Sequence, residues 1–579
     1  MARWGVQGVG GARPRFDERL LPDMAAADAI NCDLTRGTIA PITVPELVHE
    51  LGTTAARAYR LSGPEAGDPD AWLPLPSPYS SAVRSPLAND SLRRVYWTNP
   101  GEGARWNTYA RIIAGSPTFD LGTATPSSAK TPTVSVTGGT PSTSVPYVSR
   151  SYLVTYVDDY GQETAPCPPS DVVTGASDGT WKVTISGTVP TTPVGKSYPT
   201  LTKCRLYRTV TGQGAGAAFY HVAEFTMPNP TPASTTGYVD TSTDALVVLN
   251  DVLASTDWAP PPDELDGLVA MPGGFLVGFS GNTIHFSVPY RPHAWPAGYD
   301  QSVVHDIVGL GVVQQSLVVV TNGYPSVGSG TSPEQFTLTA IQTVEPCLSR
   351  GSIIVDLEGV GYASNNGFMR VGPGGLQNMT RGLLTTHQWI SEYFPTEMLA
   401  CLHDSQLLAF DDSGVGASID YAEDRLGISR ITIAPGISAV WNDNENGHTY
   451  FCSGNTVYRW APPIGDPMVA YWKSKEFNLP EPTNIGAIEI LADASILTIT
   501  VPTDPPLEPA SPVLPDGVHC ALALYADGAL ISTSYITAVK TLLRPPSGFK
   551  AQRWQFTILT RVPVIQVRLA STVRELAGV

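Results

Sequence analysis

FLVGFSGNTIHFS (275–287) sets an apolar strand, a Ser-Gly-Asn turn and a second strand end to end. The unit returns as LVVVTNGYPSV (317–327), GYASNNGFMRV (361–371), LLAFDDSGVGASI (407–419) and TYFCSGNTVYRW (449–460). The turn glycines are Gly281, Gly323, Gly367, Gly414 and Gly454, at spacings of 42, 44, 47 and 40 residues. The first and last units share SGNT followed by a β-branched residue (280–284 and 453–457). Asn-Gly, Ser-Gly and Asp-Ser-Gly supply the positive φ that tight hairpins demand. A hairpin cannot bury its face alone, so a fixed period implies stacked units. A β-only period of this length predicts a β-propeller, a scaffold that does not by itself name a function.

Around these repeats, 579 residues are too many for one core. Gly 54 and Pro 52, with charged residues at only 15%, indicate a turn-rich all-β chain. Helical patterning is confined to two stretches, 45–51 and 387–402, the second interrupted by Pro395. Residues 1–45 read as an extended arm, and 46–130 as a first propeller segment. That segment contains a blade-like unit (93–113) turning at Asn99, Pro100 and Gly101. Residues 131–250 read as an inserted fibronectin-III-like or Ig-like sandwich with linkers. The Ser/Thr/Pro/Gly-rich 116–142 would be one such linker, and the alternating strands run through 146–241. Blades occupy 251–470. A C-terminal β-rich domain with blade closure takes 471–579, and the Pro-rich 502–515 would project from it as a loop.

A net charge of −17 argues against a surface that grips phosphate, though not against one that DNA slides past. The seven cysteines are scattered without a C-x-x-C pair, so neither a zinc site nor a disulfide framework is signalled. No apolar run is long enough for a membrane helix, and 1–23 lacks the apolar core of a signal peptide.

Propellers host glycosidases, and this chain carries only fragments of catalytic patterns. The sialidase-type repeat has its nearest match in TNPGEGARW (98–106), where Gly101 takes the Asp position; SDGTW (177–181) has the wrong spacing. Asp263, Glu264 and Asp266 follow a proline run, and Asp411 with Asp412 forms a hairpin tip; both groups read as solvated turns. GFSGN (278–282) is not a nucleophile elbow. Asn442, Asn444, Asn446 and Gly447 echo a calcium loop but lack its first Asp and closing Glu. The glycines between Gly5 and Gly11 follow no strand and fail as a nucleotide fingerprint. No catalytic, cofactor or metal residue is therefore expected. YRPHAWP (290–296) reads as an exposed aromatic loop, with Tyr290, His293 and Trp295 a candidate protein or carbohydrate contact; loop packing is the competing reading.

Several phrases in order resemble a known family: 15–42 (RFDERLLPDMAAADAINCDLTRGTIAPI), RVYWTNP (94–100), YLVTYVDDYGQETAPCPPS (152–170), GFLVGFSGNTIHFSVPYRPHAWP (274–296), YWKSKEFNLP (471–480) and LASTVREL (569–576). They resemble the tail nozzle, or tail tubular protein B, of short-tailed bacteriophages. The resemblance implies a structural virion protein that is not an enzyme. Its propeller subunits would form a homo-oligomeric ring, a hexamer, below the portal–adaptor ring. Double-stranded DNA would pass without specific binding, and tail fibres or a needle would attach distally. Synthesis would be in the host cytoplasm, the sandwich would project outward, and the arm would contact a neighbour or the adaptor. The alternative is a receptor-binding or carbohydrate-binding tail protein on the same scaffold.

Overall fold

The structure is a computed structural model, and it describes residues 3–6, 8–211, 218–227, 233–422, 426–433, 436–493, 514, 518–536, 538–548 and 550–576. Its framework is six four-stranded antiparallel units, five of them separate sheets and one, 399–432, part of a ten-stranded sheet. Five of the six units are contiguous in sequence: 81–120, 266–302, 307–340, 354–378 and 399–432. The sixth joins Ala439–Asn442, Thr449–Ser453 and Thr456–Arg459 to Glu46–Glu50 from far upstream. The first strand of each sheet lines a common axial cavity, which makes the sheets the blades of a β-propeller.

A seventh position in the ring is filled by a hairpin, Arg57–Leu61 with Ala71–Leu75. One side of it packs through Ala58 and Trp72 on Ala439, Trp441 and Tyr450 of the last blade. The other packs through Leu61, Leu73 and Leu75 on Val95 and Trp97 of the first. Closure differs from expectation. Residues 45–51 are patterned like a helix, yet Glu46–Glu50 is the outermost strand of the last blade. The open edge of Thr456–Arg459 offers ladder hydrogen bonds that outweigh a weak local helix preference. Blade closure therefore comes from the N-terminal side, not from 471–579.

The second helical stretch forms only over Thr386–Tyr393, capped by Thr385 and ended by Phe394 at φ +41 before Pro395. Its continuation, Leu399–His403, is the innermost strand of a blade.

The interruption at 121–265 holds two three-stranded sheets. Thr133–Thr137, Thr180–Thr184 and Tyr238–Asp240 form one; Tyr152–Asp158, Leu201–Arg208 and Tyr220–Thr226 form the other. They close as a sandwich on Tyr152, Tyr156, Trp181 and Leu206. Thr133–Thr137 is thus sandwich strand inside the stretch that reads as linker.

The arm is docked on its own chain. Ala26–Ile30 runs between Gly427–Thr432 of a blade and Ala470–Ser474, so one sheet continues from the propeller into the C-terminal β region. Upstream, the Arg13 and Arg15 side chains donate to the carbonyls of Leu426 and Arg381, while Glu18 and Asp23 pair with Lys473 and Lys475. Gly11 passes so close to Gly427 that a Cβ at Gly11 would lie 2.5 Å from the Ile428 nitrogen. The expected loop at 502–515 lies outside the described residues, except for Leu514. No helix among the described residues is long and apolar enough to cross a membrane.

Candidate functional site: the axial cavity

The axial cavity has a volume of about 290 Å³, at the small end of ligand pockets. Two blades admit it by bulging their inner strands, between Asp266 and Val269 and between Ile307 and Gly309. Gly267, at φ +61, supplies the first of these irregularities.

Among the described residues, the charged side chains on the wall are two arginines, Arg57 and Arg350. Arg350 is spoken for. Its guanidinium grips both oxygens of Asp266, with Nη2 donating to Oδ1 at 2.8 Å and Nη1 donating to Oδ2. Asp266 Oδ1 also accepts from the Gly267 amide at 2.7 Å and from the Thr98 hydroxyl at 3.3 Å. This carboxylate, which reads from sequence as a solvated turn, instead ties three parts of the ring together. Asp263 of the same cluster does face solvent and pairs with Lys196.

Arg57 differs. Its guanidinium carbon lies 5.8 Å from the centre of the Trp441 ring, and it has no hydrogen-bond acceptor or carboxylate partner among the described residues. Burial, with the positive Arg350 adding to it, pushes Arg57 down to about 10. Tyr79 stands on the same wall, and its hydroxyl also has no partner among the described residues. Asn442 is held in place by the Leu402 backbone, its Nδ2 donating to the carbonyl and its Oδ1 accepting from the amide at 3.0 Å.

Val355, Asn442 and Asn444 are shared with a wider groove of about 830 Å³ at the cavity mouth. Asp356, Glu358 and Asp443 line that groove, but each already has a guanidinium: Arg370 for the first two and Arg60 for the third. Among the described residues, no cluster of His, Cys, Asp and Glu could hold a metal ion. All seven cysteines are free and buried. Asn444, Asn446 and Gly447 lie in the hairpin turn that follows the strand ending at Asn442.

The sequence-derived residues lie elsewhere. Gly281, Gly367, Gly414 and Gly454 occupy positive φ at blade turns. Gly323 does not; it is needed for space, because a Cβ there would sit 2.4 Å from the His305 ring. The loop 290–296 is not an exposed aromatic patch. Trp295 is 3% and His293 5% exposed, whereas Tyr290 is 53% exposed. Trp295 donates its Nε1 hydrogen to the Pro292 carbonyl at 2.8 Å and packs with Leu265 and Leu268. His293 donates from Nε2 to the Glu163 carbonyl of the sandwich at 3.2 Å, against the edge of Trp258. The loop is thus a joint between sandwich and propeller. Arg57 escaped the sequence reading because a lone arginine on an inner strand belongs to no motif.

No family model matches the chain, and no curated protein does. Among solved structures, the Neurospora crassa Pan2 WD40 domain is similar over 51% of this chain and 86% of its own, at 9% identity and a TM-score of 0.26. A likeness that loose carries no argument about what this chain does.

Proposed function

We propose that this chain is a structural subunit of a short phage tail, a nozzle that assembles as a homo-oligomeric ring and lets genomic DNA pass. The observation that carries the proposal is the ordered set of nozzle-like phrases from 15–42 to 569–576, spread across arm, propeller, sandwich and C-terminal region. Two physical features are compatible with it. The net charge of −17 is repeated in every copy, so a lumen formed between copies would repel phosphate rather than hold it. The axial cavity of about 290 Å³ is too small for a duplex, so any conduit would run along the ring axis between subunits, not through a propeller. Exposed apolar residues of the docked arm, Leu20 at 76% and Phe16 at 47%, are candidates for subunit contacts. For the adhesin alternative, His293 and Trp295 of the aromatic loop are buried, which leaves Tyr290 as its exposed contact residue.

Particle imaging of the purified protein, alone and mixed with its portal–adaptor assembly, tests the proposal. A six-fold ring with an axial hole, coaxial with the adaptor, is the expected result. Monomers or trimers that ignore the adaptor and bind host glycan would overturn it.

A further inference from the structure

We propose that the axial cavity of the propeller is a binding site for one small oxyanion, phosphate or carboxylate, recognised by the Arg57 guanidinium with Arg350 and Tyr79 beside it. The inference is independent of the nozzle proposal. Its first support is charge: two guanidinia line the cavity, and the one carboxylate among the described residues that reaches them, Asp266, is consumed by Arg350. The space is left with a net positive charge inside a chain of −17.

The second support is geometry. The Arg57 guanidinium carbon lies 5.8 Å from the Trp441 ring centre, within reach of cation–π attraction, and the guanidinium N–H donors keep no acceptor among the described residues. A fork of N–H groups held in one plane is the arrangement that binds a carboxylate or phosphate edge bidentately. The Tyr79 hydroxyl adds an unengaged donor on the same wall, next to Gly351 and hence to Arg350. Mutual repulsion of Arg57 and Arg350 is the cost an anion between them would relieve.

The surroundings limit the ligand. The volume of about 290 Å³ admits a small molecule only. The mouth carries Asp356, Glu358 and Asp443, each paired with arginine, and Asp404, so a long polyanion meets no free positive charge there among the described residues.

Titration calorimetry of the full chain in bis-tris propane chloride buffer, with inorganic phosphate and with acetate as separate arms, tests this. Saturable one-to-one binding of either is expected, and the arm that binds identifies the oxyanion class. Arg57→Gln should weaken that binding at least tenfold, and Arg57→Lys should restore part of it. Because Arg57→Gln could fail to fold, the unsubstituted protein supplies a second readout. Phenylglyoxal should modify Arg57, and the binding anion should protect that residue selectively in peptide mass spectra. No binding in either arm overturns the proposal, as does equal binding by folded Arg57→Gln or protection that spares Arg57.

Discussion

Leu47 stands opposite Tyr458 in the ladder that closes the propeller, so the last blade is completed by a strand from before the first. The register runs on to Glu50 and Thr456, with one irregularity between Val457 and Tyr458. Beyond it, the Leu51 amide donates to the Asn455 carbonyl at 2.8 Å. The closure strand is mostly exposed, whereas Leu51 is 3% exposed among Ala55, Trp441, Tyr450 and Val457. The clasp is therefore a backbone ladder anchored by one apolar side chain.

Leu51→Ala should lower propeller stability by about 2–5 kcal/mol, the usual range for truncating a buried leucine. Leu47→Ala, at a 52% exposed position, should change it by no more than about 0.5 kcal/mol. Urea unfolding of the full chain, followed by tryptophan fluorescence, separates the two. Equal effects would mean that the clasp does not hold the ring shut.

The inserted sandwich is held by a different device. Asp240 lies 2.8 Å from the Arg208 Nε through Oδ2, and the same oxygen accepts from the Tyr152 hydroxyl at 2.8 Å. Arg150 approaches at 3.7 Å, and Asp244 answers both arginines from the rim. The Arg208 contact is ionic, since its N–H geometry falls short of a hydrogen bond. Arg208 is fully buried and Asp240 nearly so. Asp240→Ala strands two buried guanidinia on a single carboxylate and should cost about 3–5 kcal/mol. Arg205→Ala, on the part-exposed Glu163 and Glu224 pairs, should cost less than about 1 kcal/mol. Calorimetry should show Asp240→Ala lowering a sandwich transition while the propeller transition stays in place. A uniform shift of both would contradict this independence.

The repeats were legible because blade turns are local: Ser-Gly and Asp-Ser-Gly place Gly281, Gly414 and Gly454 at positive φ whatever surrounds them. The closing strand was not. Glu46, Leu47 and Glu50 suit a helix, and only the distant edge at Thr456–Arg459 makes them a strand. The hairpin 57–75 has no partner strands to carry a period, so the seventh position left no trace in the spacing. Arg57 is a site residue only because the ring brings Arg350 and Trp441 to it, and no sequence interval encodes that meeting. His293 and Trp295 were visible as an aromatic loop. Their burial depends on the sandwich and on the leucines of a neighbouring strand and turn.

That joint contributes two opposed pH dependences. His293 is pushed down to about 3, chiefly by burial and then by Arg291, against the hydrogen bond to the Glu163 carbonyl. Asp158, close by in the sandwich, is pushed up to about 7 by burial, which outweighs the amides of Gln162 and Tyr160 donating to its Oδ1. Its Oδ2 is buried without a hydrogen-bond partner. Between pH about 3 and 6.5 the unfolded chain protonates His293 and the folded chain does not, so this group removes stability as pH falls through that window. Between about 4 and 7 the folded chain keeps a proton on Asp158 that the unfolded chain has lost, so this group removes stability as pH rises. Each slope is at most about 1.4 kcal/mol per pH unit, and the two oppose one another where they overlap. Relative to the parent, His293→Phe should gain stability as pH is lowered from 6.5 to 4. Asp158→Asn, which keeps the acceptor oxygen, should gain as pH is raised from 4 to 7. Melting temperatures of the parent and both variants at half-unit pH steps measure the differences. Parallel curves would show that neither group changes its protonation on unfolding, and the joint would then be set by packing alone.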